Sequence, residues 1–237
     1  MVFELEKQQD FNWMQPSDIV ETVYDCKGDE YQETFQMIKK IISNQFSQKI
    51  SKGIKGFILH GPAGTGKTTL AKITSKSLSI PLLFVDGSDI AHHYYGESEQ
   101  RVKKIFKEAE NKKAIILIDD AESVFPDREW AKGQSWHNSQ NNMLLHTLDN
   151  IDTSKTIVIM TTNKYNLLDS ALKDRLYNIE FKNPNVDILI EIAEKKCSEL
   201  KIDSDNIVKE IKSKKKDFVS IRDVEKFVMK KYVEGLK

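Results

Sequence analysis

The sequence predicts an α/β protein, a parallel five-stranded sheet between helices followed by a small helical C-terminal unit. Three observations carry this. Short apolar runs alternate with helical stretches from residue 56 to residue 181, and strands alternating with helices imply a parallel sheet covered on both faces. The run 114–119, AIILID, is apolar almost throughout, as a strand buried on both faces must be. Beyond Pro184 the strand-like runs stop and only helical periodicity remains.

Taken in order, residues 1–50 are polar with scattered aromatics, and Phe35, Ile38, Ile41 and Ile42 fall at helical spacing. This segment is too short and polar for an independent domain and is expected to be a leader that packs on the α/β unit. GFILH (56–60) is the first strand, and KTTLAKITSKSL (67–78) the first helix of the alternation. PLLFVDG (81–87) is the second strand. ESEQRVKKIFKEAENK (97–112) is an amphipathic helix with Val102, Ile105, Phe106 and Ala109 on one face. AIILID is the third strand, 142–151 a helix, TIVIMTTN (156–163) the fourth strand, 167–176 a helix and YNIEF (177–181) the fifth strand. The tail reads as three helices. The expected organisation is a leader over 1–50, an α/β unit over 51–183 and a helical unit over 184–237.

Bulk properties exclude several function classes. The 237 residues carry 36 Lys+Arg and 36 Asp+Glu, so the formal charge is zero. No global field draws the chain to nucleic acid or to an anionic membrane. Cys26 and Cys197 form no metal-spaced pair and read as reduced thiols of a cytoplasmic protein. The N-terminus has early acids and no apolar h-region, unlike a signal peptide, and no apolar stretch is long enough to span a bilayer. His137 and His146 lack partners at metal spacing and read as structural.

GPAGTGKTT (61–69) matches GxxxxGK[ST] without a gap. The pattern defines a loop of inward-facing backbone N–H groups around phosphate, closed by the positive end of a helix. Gly61, Pro62, Ala63, Gly64, Thr65, Gly66, Lys67, Thr68 and Thr69 are therefore the candidate ATP-binding residues, on a P-loop NTPase sheet. Lys67 would reach the β- and γ-phosphates, and the Thr68 hydroxyl would ligate Mg²⁺. A phosphate loop also needs a distant acid for the metal. Asp119, closing the apolar strand about 50 residues on, supplies it. Asp120 stands where a base would polarise water, and Asn163 ends the next strand, where it could orient that water.

The series GPAGTGKTT, HYYGESEQRVKKIFKEA, IILIDDAE, IVIMTTN and LLDSALKDRLYNIEF resembles the AAA+ superfamily, and within it the AAA clade of FtsH-type proteases, katanin and proteasomal ATPases. The resemblance implies ATP and Mg²⁺ as cofactors, Asp119 as the Walker B metal acid and Asn163 as sensor 1. It implies Arg175 as an arginine finger reaching a neighbouring subunit's nucleotide, hence a ring oligomer, expected as a hexamer, acting on a protein substrate or adaptor. AHHYYGESE resembles the first pore loop, with Tyr94 gripping substrate beside Tyr95 and Gly96. The bland alternative packs both tyrosines under the helix. DREWAKGQSWHNSQNN (127–142) falls where the family has its second pore loop, with Trp130 and Trp136 as substrate contacts or as local anchors. Arg222, early in the last helix, would act as a sensor 2 arginine, where the AAA clade usually has a small residue.

Three departures matter. Asp120 replaces the usual Glu, a single Arg175 stands where two arginines are common, and both the leader and the helical unit are short. The leading expectation is an ATP-hydrolysing ring that remodels, unfolds or threads protein. Two alternatives are an ATP-dependent scaffold with slow turnover and a DNA-associated AAA+ ATPase of clamp-loader or mobile-element type.

Overall fold

The structure is a computed structural model that describes residues 11–22, 28–86, 97–127, 135–214 and 217–235. The strands are β1 (Asn12–Met14), β2 (Gly56–His60), β3 (Leu82–Asp86), β4 (Ile115–Asp119), β5 (Ile157–Thr162) and β6 (Tyr177–Glu180). The helices are α1 (Asp29–Ser47), α2 (Lys67–Leu78), α3 (Glu97–Lys112), α4 (Ser135–Asn150), α5 (Ser170–Arg175), α6 (Val186–Leu200), α7 (Asp205–Ser213) and α8 (Ile221–Gly235).

The sheet order is β1-β3-β4-β5-β2-β6. β2 to β6 pair in parallel, as the alternation requires. Among the described residues the sheet has six strands where five are expected. β1, from the leader, pairs antiparallel with β3, Asn12 opposite Phe84 and Met14 opposite Leu82. Its three residues, Asn-Trp-Met, show no alternation over a length that periodicity can detect, so only the open edge of β3 makes them a strand. Cation–π contacts hold this strand and the preceding Phe11 to α3, with Arg101 over the Phe11 ring at 4.3 Å and Lys112 over Trp13 at 4.0 Å.

The period-2 geometry of strands divides the core. Phe57 and Leu59, Ile115 and Leu117, and Ile157 and Ile159 face α1 and α2 in one buried cluster. Ile58, Ile116, Ile118, Val158 and Met160 face α3 and α4 in the other. Phe35, Ile38 and Ile42 of α1 are fully buried in the first cluster. The three tail helices enclose their own core of Leu189, Ala193, Cys197, Ile211, Val224 and Val228. No described helix is long and apolar enough to cross a membrane.

The topology places the chemistry. β5 lies between β4 and β2, so the C-terminal ends of these three strands converge. In open α/β sheets that end carries the ligand site.

Candidate nucleotide site

The phosphate loop leaves β2 through Gly61 and enters α2 at Lys67. Gly61 has φ 136°, and a Cβ there would lie 2.0 Å from the Phe181 carbonyl oxygen. Only glycine fits such a backbone approach. Gly66, with φ 89°, would bring a Cβ to 2.9 Å from the Tyr31 hydroxyl. That hydroxyl donates to the Gly66 carbonyl at 2.7 Å, so α1 of the leader holds the loop from outside. The Tyr31 ring in turn meets Phe181 edge-on at 5.6 Å.

Lys67 is buried, and its Nζ donates to the carbonyls of Gly61 at 2.9 Å and Pro62 at 2.6 Å. The Thr65 hydroxyl donates to the same Pro62 carbonyl at 3.0 Å. Burial first pulls the Lys67 pKa down to about 8, against Asp119, Asp120 and Glu122, which favour its charged form.

The Thr68 hydroxyl donates to Asp119 Oδ1 at 2.8 Å. A hydroxyl can keep this donation while its lone pair turns to a cation. The Thr161 hydroxyl donates to the same oxygen. Asp120 comes next in the left-handed region, φ 50° and ψ 50°, which Asp tolerates better than most residues. Its Oδ1 accepts from Asn163 Nδ2 at 3.4 Å, so the expected base and the expected sensor meet. The Asp120 carboxyl is held above the usual carboxylate range, first by burial and then by Asp119, Glu122 and Asp86.

These groups line one cleft of about 870 Å³. Ala63 and Thr69 of the loop line it too, and Ile192, Lys196 and Arg222 close the far side. The backbone N–H of Ile221 donates to the Gly64 carbonyl at 3.1 Å, so the start of α8 rests on the phosphate loop. Val20 and Thr22 of the leader form another wall, strapped down where Lys76 Nζ donates to the Ile19 carbonyl at 2.6 Å.

Arg175 lies elsewhere. β6 runs parallel to β2 with Tyr177 opposite Phe57, four residues before Gly61. At about 3.3 Å per residue, Arg175 sits near the opposite end of the strand from its own phosphate loop. It forms a two-point pair with Asp149 of α4, Nε to Oδ1 at 3.1 Å and Nη2 to Oδ2 at 3.2 Å, and Lys55 adds a third bond to Asp149 at 2.7 Å. Hydrogen bonding, to Arg175 first and Lys55 second, pulls the Asp149 pKa down to about 2.

Tyr94, Tyr95, Gly96 and Trp130 lie outside the described residues. Trp136 falls in the first turn of α4, and its side chain lies outside what is described. The contacts of Tyr31, Asp149 and Thr161 escaped sequence reasoning. Thr161 stands inside the TTN run, but nothing in the sequence marks Tyr31 or Asp149.

A buried lysine on a glycine loop, a hydroxyl–carboxylate pair and a polar strand end, all at the C-terminal edge of a parallel sheet, define a P-loop nucleotide-binding domain. The oxygen donors Thr68 and Asp119 suit a hard divalent cation. The family model of the ATPase family associated with various cellular activities (AAA) matches residues 57–184, more than half the chain, and the protein belongs to this family. Membership implies ATP binding. The chain is 40% identical over 121 residues to a cell division cycle protein 48 homolog of Archaeoglobus fulgidus, covering 50% of this chain and 16% of that one. It is 36% identical over 158 residues to the ATP-dependent zinc metalloprotease FtsH 2 of Petrotoga mobilis, 64% of this chain and 25% of that one. It is 37% identical over 147 residues to the 26S proteasome regulatory subunit 8 homolog of Saccharomyces cerevisiae, 58% of this chain and 36% of that one. The chain thus matches little more than a third of these relatives' length at most.

Proposed function

We propose that this chain is an ATP·Mg²⁺-hydrolysing module that works in a ring, a hexamer in the simplest case, and remodels or threads a protein substrate. The observation that carries the reading is the Lys67, Thr68–Asp119 and Asp120–Asn163 cluster at the ends of three adjacent strands. Lys67 would leave its loop carbonyls for the β- and γ-phosphates. Thr68 and Asp119 would hold Mg²⁺, which neutralises phosphate charge. Asp120 would take a proton from water that Asn163 orients, and its raised pKa makes it a stronger base. Arg222 would report nucleotide state to the helical unit. Tyr94, Tyr95, Gly96 and Trp136 would touch the substrate. Relatives named as a zinc metalloprotease and as a proteasome regulatory subunit support a protein substrate.

ATP turnover measured against protein concentration tests the shared-site reading, with a cooperative rise expected. Tyr94→Ala should then abolish substrate-stimulated turnover while sparing basal turnover, and unchanged stimulation would remove the threading role. The second reading, a nucleotide-gated assembly module, rests on the short carboxylate of Asp120. Tight ATP binding with negligible turnover at every concentration would select it.

Lys67 adds a pH prediction. Below about pH 8 Lys67 is charged and ATP affinity should be flat. As pH rises through that value the free protein loses the cation, so binding must take up a proton. Affinity should then fall by up to about tenfold per pH unit. Titrations of a fluorescent ATP analogue at about pH 7 and about pH 9 would show this, and equal affinities would contradict it. Stability runs the other way. With the folded pKa below the unfolded one, burying the charge costs stability below about pH 8, and the cost is relieved as pH rises towards 10.5.

A further inference from the structure

We infer that Thr161 is a positioning residue that aims both carboxylates of the Asp119–Asp120 pair, an inference that rests on the ATP·Mg²⁺ reading. Thr161 is 2% exposed and sits near the end of β5, beside β4. Its hydroxyl has one proton to donate and lone pairs to accept, and the structure uses both functions. The proton goes to Asp119 Oδ1. A lone pair accepts the backbone N–H of Asp120 at 3.4 Å.

Each contact has a consequence. Thr68 donates to the same Asp119 oxygen at 2.8 Å, so two hydroxyls engage Oδ1. Among the described residues none donates to Oδ2. The carboxylate is thereby turned so that Oδ2 is left for the cation or its water. If Thr68 shifts towards a metal, Thr161 still holds the rotamer. The bond to the Asp120 amide pins a residue whose left-handed backbone, φ 50°, sets where its short side chain points. A single buried hydroxyl therefore couples the metal acid to the water-polarising acid. A threonine serving only to fill the strand would need no hydroxyl, and valine would replace it without loss.

The test titrates a fluorescent, non-hydrolysable ATP analogue with Mg²⁺ and with EDTA, for the wild type, Thr161→Val and Thr161→Ser, with turnover measured alongside. Groups that orient metal ligands are worth about 10–100-fold in metal affinity or activity. Thr161→Val should lose that much of the Mg²⁺-dependent gain in affinity and slow turnover similarly, with EDTA affinity unchanged and Tm lower by only about 2–4 °C. Thr161→Ser should retain both. Thr161→Ala gives the same comparison if valine disturbs the strand. A wild-type Mg²⁺ gain in Thr161→Val overturns the inference. A wild type whose affinity ignores Mg²⁺ overturns the ATP·Mg²⁺ reading itself, and this inference with it.

Discussion

Arg175→Ala should reduce ATP turnover by about 10³–10⁵-fold, the range over which an arginine finger acts on phosphoryl transfer, and leave ATP affinity unchanged. The split comes from position. Tyr177 pairs with Phe57 at the start of β2, so Arg175 is near the far end of the strand from its own phosphate loop and contributes nothing to binding there. In the proposed ring it would complete the site of another copy. Within the chain it is held by Asp149 at 3.1 and 3.2 Å, and exposed pairs of this kind are weak enough to exchange for a stronger anion. Turnover against concentration, with affinity measured separately, is the experiment. Unchanged turnover in Arg175→Ala would end the shared-site reading, and lost affinity would move Arg175 into a structural role. Asp149→Ala serves as the control, because it removes the ion pair and leaves Arg175 in place with its bond to the Ala171 carbonyl at 3.1 Å.

Asp120→Asn should lower kcat by about 10²–10⁴-fold, the usual worth of general-base help, with ATP affinity intact. Asn keeps the shape and tolerates the left-handed backbone, so the loss isolates the carboxylate. Asp120→Glu should have two opposed effects. The longer side chain brings the carboxylate further towards the cleft and should raise turnover if reach is limiting. Glu suits φ 50° and ψ 50° less well than Asp, at up to about 1 kcal/mol. A Tm lower by about 2–4 °C should accompany the faster rate. An Asn variant that turns over like the wild type would rule Asp120 out as the base. A Glu variant no faster than the wild type would show that reach is not the limit.

Much of the fold was legible because its signals are local. A buried parallel strand must be apolar on both faces, so Ile115–Ile118 announced β4 without any partner in view. The helices over 97–112 and 186–200 showed one apolar face each. β1 was not legible, since Asn12, Trp13 and Met14 carry no pattern, and pairing with β3 alone makes them a strand. Periodicity predicts the next helix only from residue 142, and the start of α4 at Ser135 is not legible because SWHNSQ has little apolar periodicity.

The site divides along the same line. By itself the sequence determined the family, the loop from Gly61 to Thr69 and the identity of its acids, because a phosphate loop is a contiguous string whose chemistry is set by residue type and spacing. Only the tertiary structure decided who meets whom across the chain. Thr68 and Thr161 share Asp119 Oδ1, Tyr31 reaches Gly66 over 35 residues and Asp149 holds Arg175. These contacts depend on strand order and helix placement, which no local pattern encodes. The two adjacent carboxylates illustrate the physical reason: residue type allows both to serve one site, but strand register and a left-handed turn decide where each of them points.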